Sequence, residues 1–260
     1  IMGELFASFA LAMLTGILCI YLVLVLLFKS VLHPITILAA LPLSIGGAFV
    51  AALEANPRVA AVMAASRKAA APWCFDLEDE GSIEAVAQAA AASGPLDLVL
   101  VATGVLLPNP EKSWRQLDPG VLSRAYAINA IGPALIAKHT LGLLRRDAKS
   151  AFACISARVG SIEDNRLGGW HAYRASKAAL DMLVRNLAIE LRQRNPQALC
   201  VALHPGTVDT GLSRPFQSAV DPSKLQTPAD SARRMLATLD GLQSADTGKL
   251  WAYDGTPIPF

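Results

Sequence analysis

The charged residues of this chain are distributed very unevenly along it. They form 17% of the 260 residues, yet only Glu4 and Lys29 precede position 54. Residues 5–28 contain neither a charged residue nor a proline. A helix of this length, at about 1.5 Å per residue, is long enough to cross a bilayer core of about 30 Å. The sequence therefore predicts a hydrophobic segment over 1–30 that could span a membrane, followed by a domain over 31–260.

Two other interpretations of residues 5–28 fit less well. A secretory signal needs a basic start and a small-residue cleavage site, whereas this segment follows Glu4 and no such site comes after it. A buried core helix is the remaining alternative, and the unbroken run of uncharged residues disfavours it. Lys29 and the charged domain after it suggest that the domain faces the cytoplasm, with membrane association through 5–28.

The rest of the composition excludes several partners. The net charge is +2, and Lys and Arg form no run or stripe, so we expect no nucleic-acid partner. The cysteines Cys19, Cys74, Cys154 and Cys200 lie far apart in apolar runs and have no metal-ligand spacing. We expect them to be buried free thiols.

From Glu54 onwards, short apolar runs alternate with amphipathic stretches. The runs predict strands over 58–67, 71–79, 96–104, 150–161 and 249–255, and a strand followed by a loop over 198–210. The amphipathic stretches predict helices over 82–93, 119–144, 171–194 and 227–242. Ser82 and Thr227 are the expected N-caps, and Pro133 is the expected site of a kink. Continuous apolar strands separated by helices indicate an α/β fold with a doubly wound parallel sheet, here preceded by the N-terminal hydrophobic helix.

The string "YRASK" places Tyr173 and Lys177 four residues apart on the strongest predicted helix. At this spacing the two side chains lie on one face, about one turn apart. A phenol is a poor acid or base at neutral pH, but a nearby ammonium favours the phenolate and lowers the pKa. The pair therefore suits proton transfer at an alcohol or carbonyl oxygen.

Further motifs surround this pair in a fixed order. They are "VATG" (101–104), "INAIGP" (128–133), "ISARVGSI" (155–162) and "HPGTVDT" (204–210). With these motifs, residues 45–260 resemble the short-chain dehydrogenase/reductase family. The similarity is greatest to the branch of C-factor-like and sniffer-like carbonyl reductases.

The resemblance implies roles for particular residues. Tyr173 would be the acid/base, Lys177 would lower its pKa and hold the ribose, and Asn129 would hold a proton-relay water. The remaining cofactor contacts would come from Gly104, Pro205, Gly206, Val208 and Thr210. The implied substrate is a small carbonyl compound or alcohol.

The expected catalytic serine is replaced. The family pattern Ser-Ser-x-x-Gly corresponds here to a string in which Ala157 occupies the second serine position. Ser156 and Ser161 are the nearest substitutes. Ser156 would point to the opposite face of a strand, and Ser161 lies in the loop beyond Gly160. Both remain candidates for the catalytic hydroxyl.

The predicted second strand ends in a basic pair. NAD-preferring dinucleotide folds place an acidic residue there to bind the ribose hydroxyls. Here the residues are Ser66, Arg67 and Lys68, which suit a 2′-phosphate. NADP is therefore the expected cofactor, with NAD the alternative. By resemblance, Asp76 and Leu77 flank the adenine.

The glycine turn that normally cradles the pyrophosphate is altered. Of the family's three glycines only Gly46 is present, because Ala40 and Ser44 occupy the first two positions. Pro42 lies within the turn and lacks an N–H donor. The first strand and its turn are therefore atypical.

Upstream of this turn, residues 2–50 resemble a transmembrane stretch of resistance-nodulation-division efflux pumps. The two resemblances overlap at "IGGAFVA", which suggests a chimaera formed by gene fusion or by a sequence-assembly join. In a folded domain "PITILAAL" (34–41) would replace the missing strand. The alternative is a second membrane span over 31–53.

Two functions follow from these observations. The first is an NADP-dependent oxidoreductase that acts on a carbonyl or alcohol, with a homodimer or homotetramer expected by resemblance. The alternative is a catalytically impaired or non-enzymatic relative, chimaeric or tethered to a membrane, with a defective cofactor turn.

Overall fold

The protein is described by a computed structural model over residues 45–214, 217 and 221–260. The predicted hydrophobic segment 1–30, the boundary at 30/31 and the predicted strand 34–41 lie outside these residues. The efflux-pump resemblance over 2–50 falls almost entirely outside them as well.

The described residues form a mainly parallel sheet. Its strands, in spatial order, are β1 (Leu98–Val101), β2 (Ser150–Ile155), β3 (Ala198–His204), β6 (Leu250–Ala252) and β7 (Pro257–Ile258). All neighbours pair in parallel except β6 and β7, which are antiparallel. A separate two-stranded parallel ribbon joins β4 (Thr207–Val208) to β5 (Leu225–Gln226).

Helices connect the strands. They are α1 (Ile45–Glu54), α2 (Glu80–Ala91), α3 (Pro119–Tyr126), α4 (Gly132–Thr140), α5 (His171–Arg194) and α6 (Pro228–Gly241). Short 3-10 turns cover Trp114–Gln116, Leu141–Leu143, Arg158–Gly160, Pro222–Lys224 and Ser244–Asp246. The predicted helix 171–194 is confirmed at both ends.

Hydrophobic cores lie on both faces of the sheet, as β2 illustrates. Phe152 and Cys154 pack into the cluster that contains α5, whereas Ala151, Ala153 and Ile155 pack into the cluster that contains α1 and α6. All six residues of β2 are buried. This burial explains why the strand has no polar alternation, and it confirms the predicted doubly wound α/β fold.

Two predicted strands are wrong. Residues 58–67 and 71–79 form no regular strand, and only an isolated parallel bridge between Ser66 and Cys74 connects them. A strand needs a neighbour for its backbone hydrogen bonds. Among the described residues, β1 pairs only with β2. No described strand lies on the other side of β1, where these segments would need a neighbour in order to extend the sheet.

The helix predicted over 119–144 is divided near Pro133. A π-turn over Ala127–Ile131 separates α3 from α4. Proline has no N–H to bond to the carbonyl four residues earlier, and Pro133 lies at the second residue of α4, directly after this change of pattern. The kink expected at Pro133 stays a prediction.

The caps agree with prediction at one helix and differ at another. Thr227 caps α6, since its side chain accepts from the N–H of Asp230. At α2 the predicted cap Ser82 is wrong, because Asp79 accepts from the N–H of Gly81. The Ser82 hydroxyl instead donates to the carbonyl oxygens of Asp76 and Asp79.

The helical run Pro119–Leu143 is, among the described residues, the one that is long and apolar enough to cross a membrane by length and composition. It includes Arg124 and Lys138, whose side chains pair with Glu78 and Glu80 at the start of α2. Its apolar residues Ala130 and Ala137 pack in the core against the sheet. These contacts are those of a core helix in a folded domain.

The cysteine prediction is partly confirmed. Cys154 and Cys200 are buried free thiols, but Cys74 is exposed. Cys74 lies in the segment where the predicted strand 71–79 does not form, so no sheet covers it.

Candidate active site

Lys177 lies in the interior of the protein on the face of α5 that meets the ends of the strands. Its side chain is 2% exposed, and Nζ donates to the carbonyl oxygen of Ile155, at the end of β2, over 2.8 Å. Burial lowers the pKa of Lys177 to about 8, and the negative charge of Asp181 opposes this shift. The helix therefore holds an ammonium group at the carboxyl end of the sheet.

Tyr173 is one turn before Lys177 on the same helix. Burial raises the pKa of its hydroxyl to about 12. The expected net lowering of this pKa is not found, because desolvation of the phenol outweighs any stabilisation of the phenolate by the Lys177 ammonium, which is directed to Ile155. The Tyr173 side chain is thus a neutral phenol at physiological pH, able to donate its proton.

Asn129 ties three elements together from within the π-turn. It is fully buried, and its Oδ1 accepts from the N–H of Val105 over 2.8 Å. Its Nδ2 donates to the Val105 carbonyl oxygen over 2.9 Å and to the Ser176 hydroxyl over 3.0 Å. The amide thus fixes the loop after β1 against α5, while its predicted role in holding a water stays a prediction.

Gly104 lies between Lys177 and Asn129. A Cβ at this glycine would be 3.3 Å from Lys177 Nζ and 3.4 Å from Asn129 Oδ1, a tight contact with both polar groups. The adjacent Thr103 hydroxyl is buried without a hydrogen-bond partner among the described residues. The loop after β1 therefore places two groups beside α5. They are the Gly104 backbone, which carries no side chain, and the Thr103 hydroxyl, which has no hydrogen-bond partner among the described residues.

The serine candidates occupy different positions. Ser161 is 1% exposed, and its hydroxyl accepts from the N–H of Asp164 over 3.0 Å, which stabilises the turn. Ser156 is also buried, and its hydroxyl favours the ionised form of the nearby Asp181 carboxylate. The two groups do not, however, have the geometry of a hydrogen bond. Ala157 lies between them in extended backbone. Ser156 thus faces Asp181, and the choice between the two serines as the catalytic hydroxyl stays a prediction.

Two side chains fix the start of the loop after β3 through hydrogen bonds. The carbonyl oxygen of Pro205 accepts from Gln226 Nε2 over 3.0 Å and from the Ser231 hydroxyl over 2.8 Å. Gly206 has φ +75°, and a Cβ there would approach Gln226 Nε2 to 2.3 Å. Only glycine fits this position without strain.

The end of this loop is fixed by a second set of contacts. Val208 pairs with Gln226 in the β4–β5 ribbon, and the Ser213 hydroxyl donates to the carbonyl oxygens of Val208 and Thr210. The ribbon and these bonds present residues 205–210 as a fixed rim at the carboxyl end of β3.

The other residues predicted to bind the cofactor lie between positions 46 and 77. Leu77 is half-buried and packs against Gly132 at the start of α4, where a Cβ would be 2.7 Å from its side chain. Asp76 is exposed, and its carboxylate accepts from the N–H of Glu78 over 3.0 Å. Arg67 is exposed, and Gly46 lies in the first turn of α1. Within the described part of the chain, no hydrogen bond connects these four residues to Tyr173.

The sequence patterns did not identify three residues at the site. Ser176 accepts from Asn129 and donates to the Tyr173 carbonyl oxygen, Asp181 lies one turn after Lys177, and Glu111 contacts the start of α5. The spacing of Ser176 and Asp181 from Tyr173 and Lys177 on one helix was a usable signal. Glu111 lies 61 positions from its partner Ala172, so no local pattern could indicate it.

Comparison with known proteins places this geometry in a family. The model of the family described as short chain dehydrogenase matches residues 38–221. The C-signal protein of Myxococcus xanthus is 35% identical over 171 residues, which are 65% of this chain and 95% of that protein. The matches do not show the resemblance of residues 2–50 to efflux pumps, and the chimaera stays a hypothesis.

Solved structures agree with this placement. The NADPH-bound carbonyl reductase from chicken fatty liver has a TM-score of 0.70 at 25% identity, over 84% of this chain and 95% of that chain. The carbonyl reductase Sniffer of D. melanogaster has the same TM-score and coverage at 22% identity and shows the fold. Together with the family match over more than half of its length, these likenesses show that the chain belongs to the short-chain dehydrogenase family.

Proposed function

We propose that this protein is an NADP-dependent oxidoreductase that reduces a small carbonyl compound to an alcohol. The observation that carries the proposal is the convergence of four groups at the carboxyl ends of β1 and β2. The Tyr173 phenol and Lys177 ammonium lie one turn apart, Lys177 is anchored to Ile155, and Gly104 lies between Lys177 and Asn129. Parallel sheets bind their ligands at this edge.

The residues at this edge fit a nicotinamide nucleotide. Gly104 leaves space beside Lys177 and Asn129, and the unused Thr103 hydroxyl can bond to a ligand. Lys177 would hold the ribose, and the rim residues Pro205, Gly206, Val208 and Thr210 would contact the nicotinamide. When bound, the reduced nicotinamide supplies the hydride for the carbonyl carbon.

Tyr173 would supply the proton. Because burial raises its pKa to about 12, the side chain keeps its proton at neutral pH and can donate it to the carbonyl oxygen. The phenolate that results is stabilised by the nearby Lys177 ammonium. The raised pKa leaves very little phenolate at neutral pH to accept a proton from an alcohol, so we expect reduction to be faster than alcohol oxidation there.

The basic pair Arg67 and Lys68 supports NADP rather than NAD. Both residues are exposed, and no acidic residue stands at the end of that segment to bind ribose hydroxyls. A guanidinium can bond to a 2′-phosphate through two parallel N–H groups. The chicken carbonyl reductase with the same fold has NADPH bound. The first turn of α1, with Gly46 and Gly47, would face the pyrophosphate.

Calorimetric titration with NADPH and NADH tests the cofactor assignment. The double substitution Arg67→Ala and Lys68→Ala should weaken NADPH binding about 10- to 100-fold, since each charge-assisted bond contributes roughly 1.5 to 3 kcal/mol before solvent screening. NADH binding should be unchanged. The control Arg192→Ala, at an exposed position on α5, should leave both affinities unchanged.

A second candidate is a relative that has lost catalysis and acts by interaction. Two observations favour it: Ala157 replaces the family hydroxyl, and Ala40, Pro42 and Ser44 replace a glycine turn. The same titration separates the two candidates. A folded chain that binds no NADPH at millimolar concentration would exclude the oxidoreductase and leave the interaction function.

A further inference from the structure

Asp181 is a buried acid that the proposed reaction does not use. It lies on α5 one turn after Lys177 and is 2% exposed. Neither carboxylate oxygen has a hydrogen-bond partner among the described residues. A buried charged group without such a partner is costly, and an unsatisfied group in a folded protein calls for an explanation.

The surroundings of Asp181 are closed and contain a second unsatisfied group. The Ser156 hydroxyl, at the end of β2, is likewise buried without a partner among the described residues. A Cβ at Gly160 would be 2.8 Å from Lys177 Cβ and 3.0 Å from Asp181 Oδ2. The turn Arg158–Gly160 therefore covers both side chains, and only glycine permits this approach.

Few charged or titratable groups reach Asp181. Lys177 faces it from the same helix, and Ser156 and Cys154 face it from β2. Burial raises the pKa of Asp181 to about 7, while Ser156 and Lys177 lower it. In the opposite sense, burial lowers the pKa of Lys177 and Asp181 raises it, so the two groups titrate as a coupled pair.

We propose that Asp181 is a positioning residue that acts through Lys177: its carboxylate, enclosed with Ser156 under the 158–160 turn, is the counter-charge that keeps Lys177 an ammonium beside Tyr173. This inference deepens the proposed function and rests on it for its catalytic meaning. The carboxylate does not touch the substrate. It preserves the charge that stabilises the Tyr173 phenolate when the proton has left.

The test is a direct titration of Lys177 in the full chain. Lysine labelled with 13C at Cε reports ammonium deprotonation by NMR, and the Lys177 signal is identified by its loss in Lys177→Arg. In Asp181→Asn the carboxylate is replaced by a neutral group of equal size. We expect the Lys177 midpoint to fall by about one pH unit, a tenfold change in its protonation equilibrium. An unchanged midpoint would overturn the proposal.

Two further variants make the result specific. Ser156→Ala removes the hydroxyl that favours the ionised carboxylate, so it should lower the midpoint in the same direction by a smaller amount. This variant also carries the test if Asp181→Asn does not fold. Glu190→Gln removes a negative charge from an exposed position on the same helix and should leave the midpoint unchanged. An equal shift in Glu190→Gln would reduce the effect to net charge and contradict a specific pair.

A second readout connects the pair to catalysis. In Asp181→Asn, kcat for carbonyl reduction should begin to fall at a pH about one unit lower than in the native chain. The KM for NADPH should change little. The NMR titration needs neither cofactor nor turnover, so a shifted midpoint in a chain that fails to bind NADPH would contradict only the proposed function. Turnover with an unshifted midpoint would contradict only the role of Asp181.

Discussion

At the scale of single residues, the substitution with the clearest chemical consequence is Ala157. It occupies the position of the family's catalytic hydroxyl, in extended backbone with φ −149° and ψ 143°, and is 9% exposed. Ser156 faces Asp181, while the Ser161 hydroxyl accepts from the N–H of Asp164 and keeps its own O–H as a possible donor, so carbonyl polarisation would depend on Tyr173 with Ser161 as the remaining candidate.

Ala157→Ser should therefore restore a missing donor. A serine adds one oxygen at a backbone conformation that it adopts without strain, and removal of such a donor elsewhere costs about 100- to 1,000-fold in kcat. We expect kcat for carbonyl reduction to rise at least about tenfold, measured as steady-state NADPH oxidation. Ser161→Ala is the matched control, and a large fall in that variant would show that Ser161 is the catalytic hydroxyl instead.

The raised pKa of Asp181 predicts a specific dependence of stability on pH. In the folded state burial raises the pKa of Asp181 to about 7, so its carboxylate forms as the pH approaches the range in which Lys177 titrates, whereas an unfolded aspartic acid loses its proton near its ordinary pKa of 3.8. The stabilisation from this proton is therefore complete below about pH 4 and is lost as the pH rises to about 7.

Asp181→Asn cannot lose this stabilisation. The free energy of unfolding of the variant, relative to the native chain, should rise by roughly 2 to 4 kcal/mol between pH 4 and pH 7. Urea unfolding at several pH values measures it. A difference that stays constant across this range would show that Asp181 titrates normally in the folded protein.

Sequence reasoning at the residue scale found Tyr173, Lys177, Asn129 and Gly104 because fixed spacing and neighbouring motifs indicate them. It did not predict the raised pKa of Tyr173, since the spacing shows that a Lys is near but not how far the phenol is desolvated. It also missed Asp181, although the four-residue spacing from Lys177 is the same signal that revealed Lys177 itself.

At the scale of elements, the start of α5 depends on a distant loop. The N-cap residue Trp170 has an indole that can donate but not accept, so its side chain cannot cap the helix. Glu111 takes this role: its carboxylate lies 3.3 Å and 3.4 Å from the N–H of Ala172, and its carbonyl oxygen accepts from the N–H of Trp170. Glu111 is 5% exposed. The loop thus fixes the first turn of the helix that carries Tyr173.

Glu111→Ala should loosen that turn. We expect a loss of about 1 to 2 kcal/mol in stability, as for a removed helix cap, and about a tenfold fall in kcat with the KM for NADPH unchanged. Glu111→Gln keeps an accepting oxygen and should recover most of both.

The control for this prediction is Asp79→Ala, which removes the cap of α2. It should cost a similar amount of stability and leave kcat unchanged. Circular dichroism melting and steady-state kinetics measure the two effects. An equal loss of kcat in Asp79→Ala would show that lower stability, rather than the position of α5, reduces the rate.

The elements differ in how well sequence predicts them. Helix α5 agrees with the prediction at both ends, whereas β2 begins as predicted at Ser150 but ends at Ile155 rather than at 161, because a 3-10 turn follows it. The strands expected over 58–67 and 71–79 were wrong, because a strand also needs a partner, and a pattern within one segment does not supply it. Thr227 was predicted as a cap from its local context, whereas the choice of Asp79 over Ser82 depends on the geometry of the turn.

At the scale of the whole molecule, the doubly wound fold and the dehydrogenase family are shown, while the N-terminal region keeps its sequence-based predictions. Sequencing the source DNA across "IGGAFVA" tests the chimaera: a continuous genomic reading frame would remove the assembly-join explanation. The expected dimer or tetramer also stays a prediction. Met182 and Ile189 are exposed seven residues apart on α5, in agreement with a face that a second copy could cover.

We propose that the chain carries a working proton donor at a nicotinamide site despite its altered turn and its missing serine. The most direct test is single-turnover NADPH oxidation by the native chain and by Tyr173→Phe, over a panel of small aldehydes, ketones and quinones. We expect measurable turnover in the native chain and a loss of at least about 100-fold in the variant, since a positioned acid contributes 100- to 10,000-fold. Calorimetry should show nearly unchanged NADPH binding. Equal rates in the two proteins would contradict the claim.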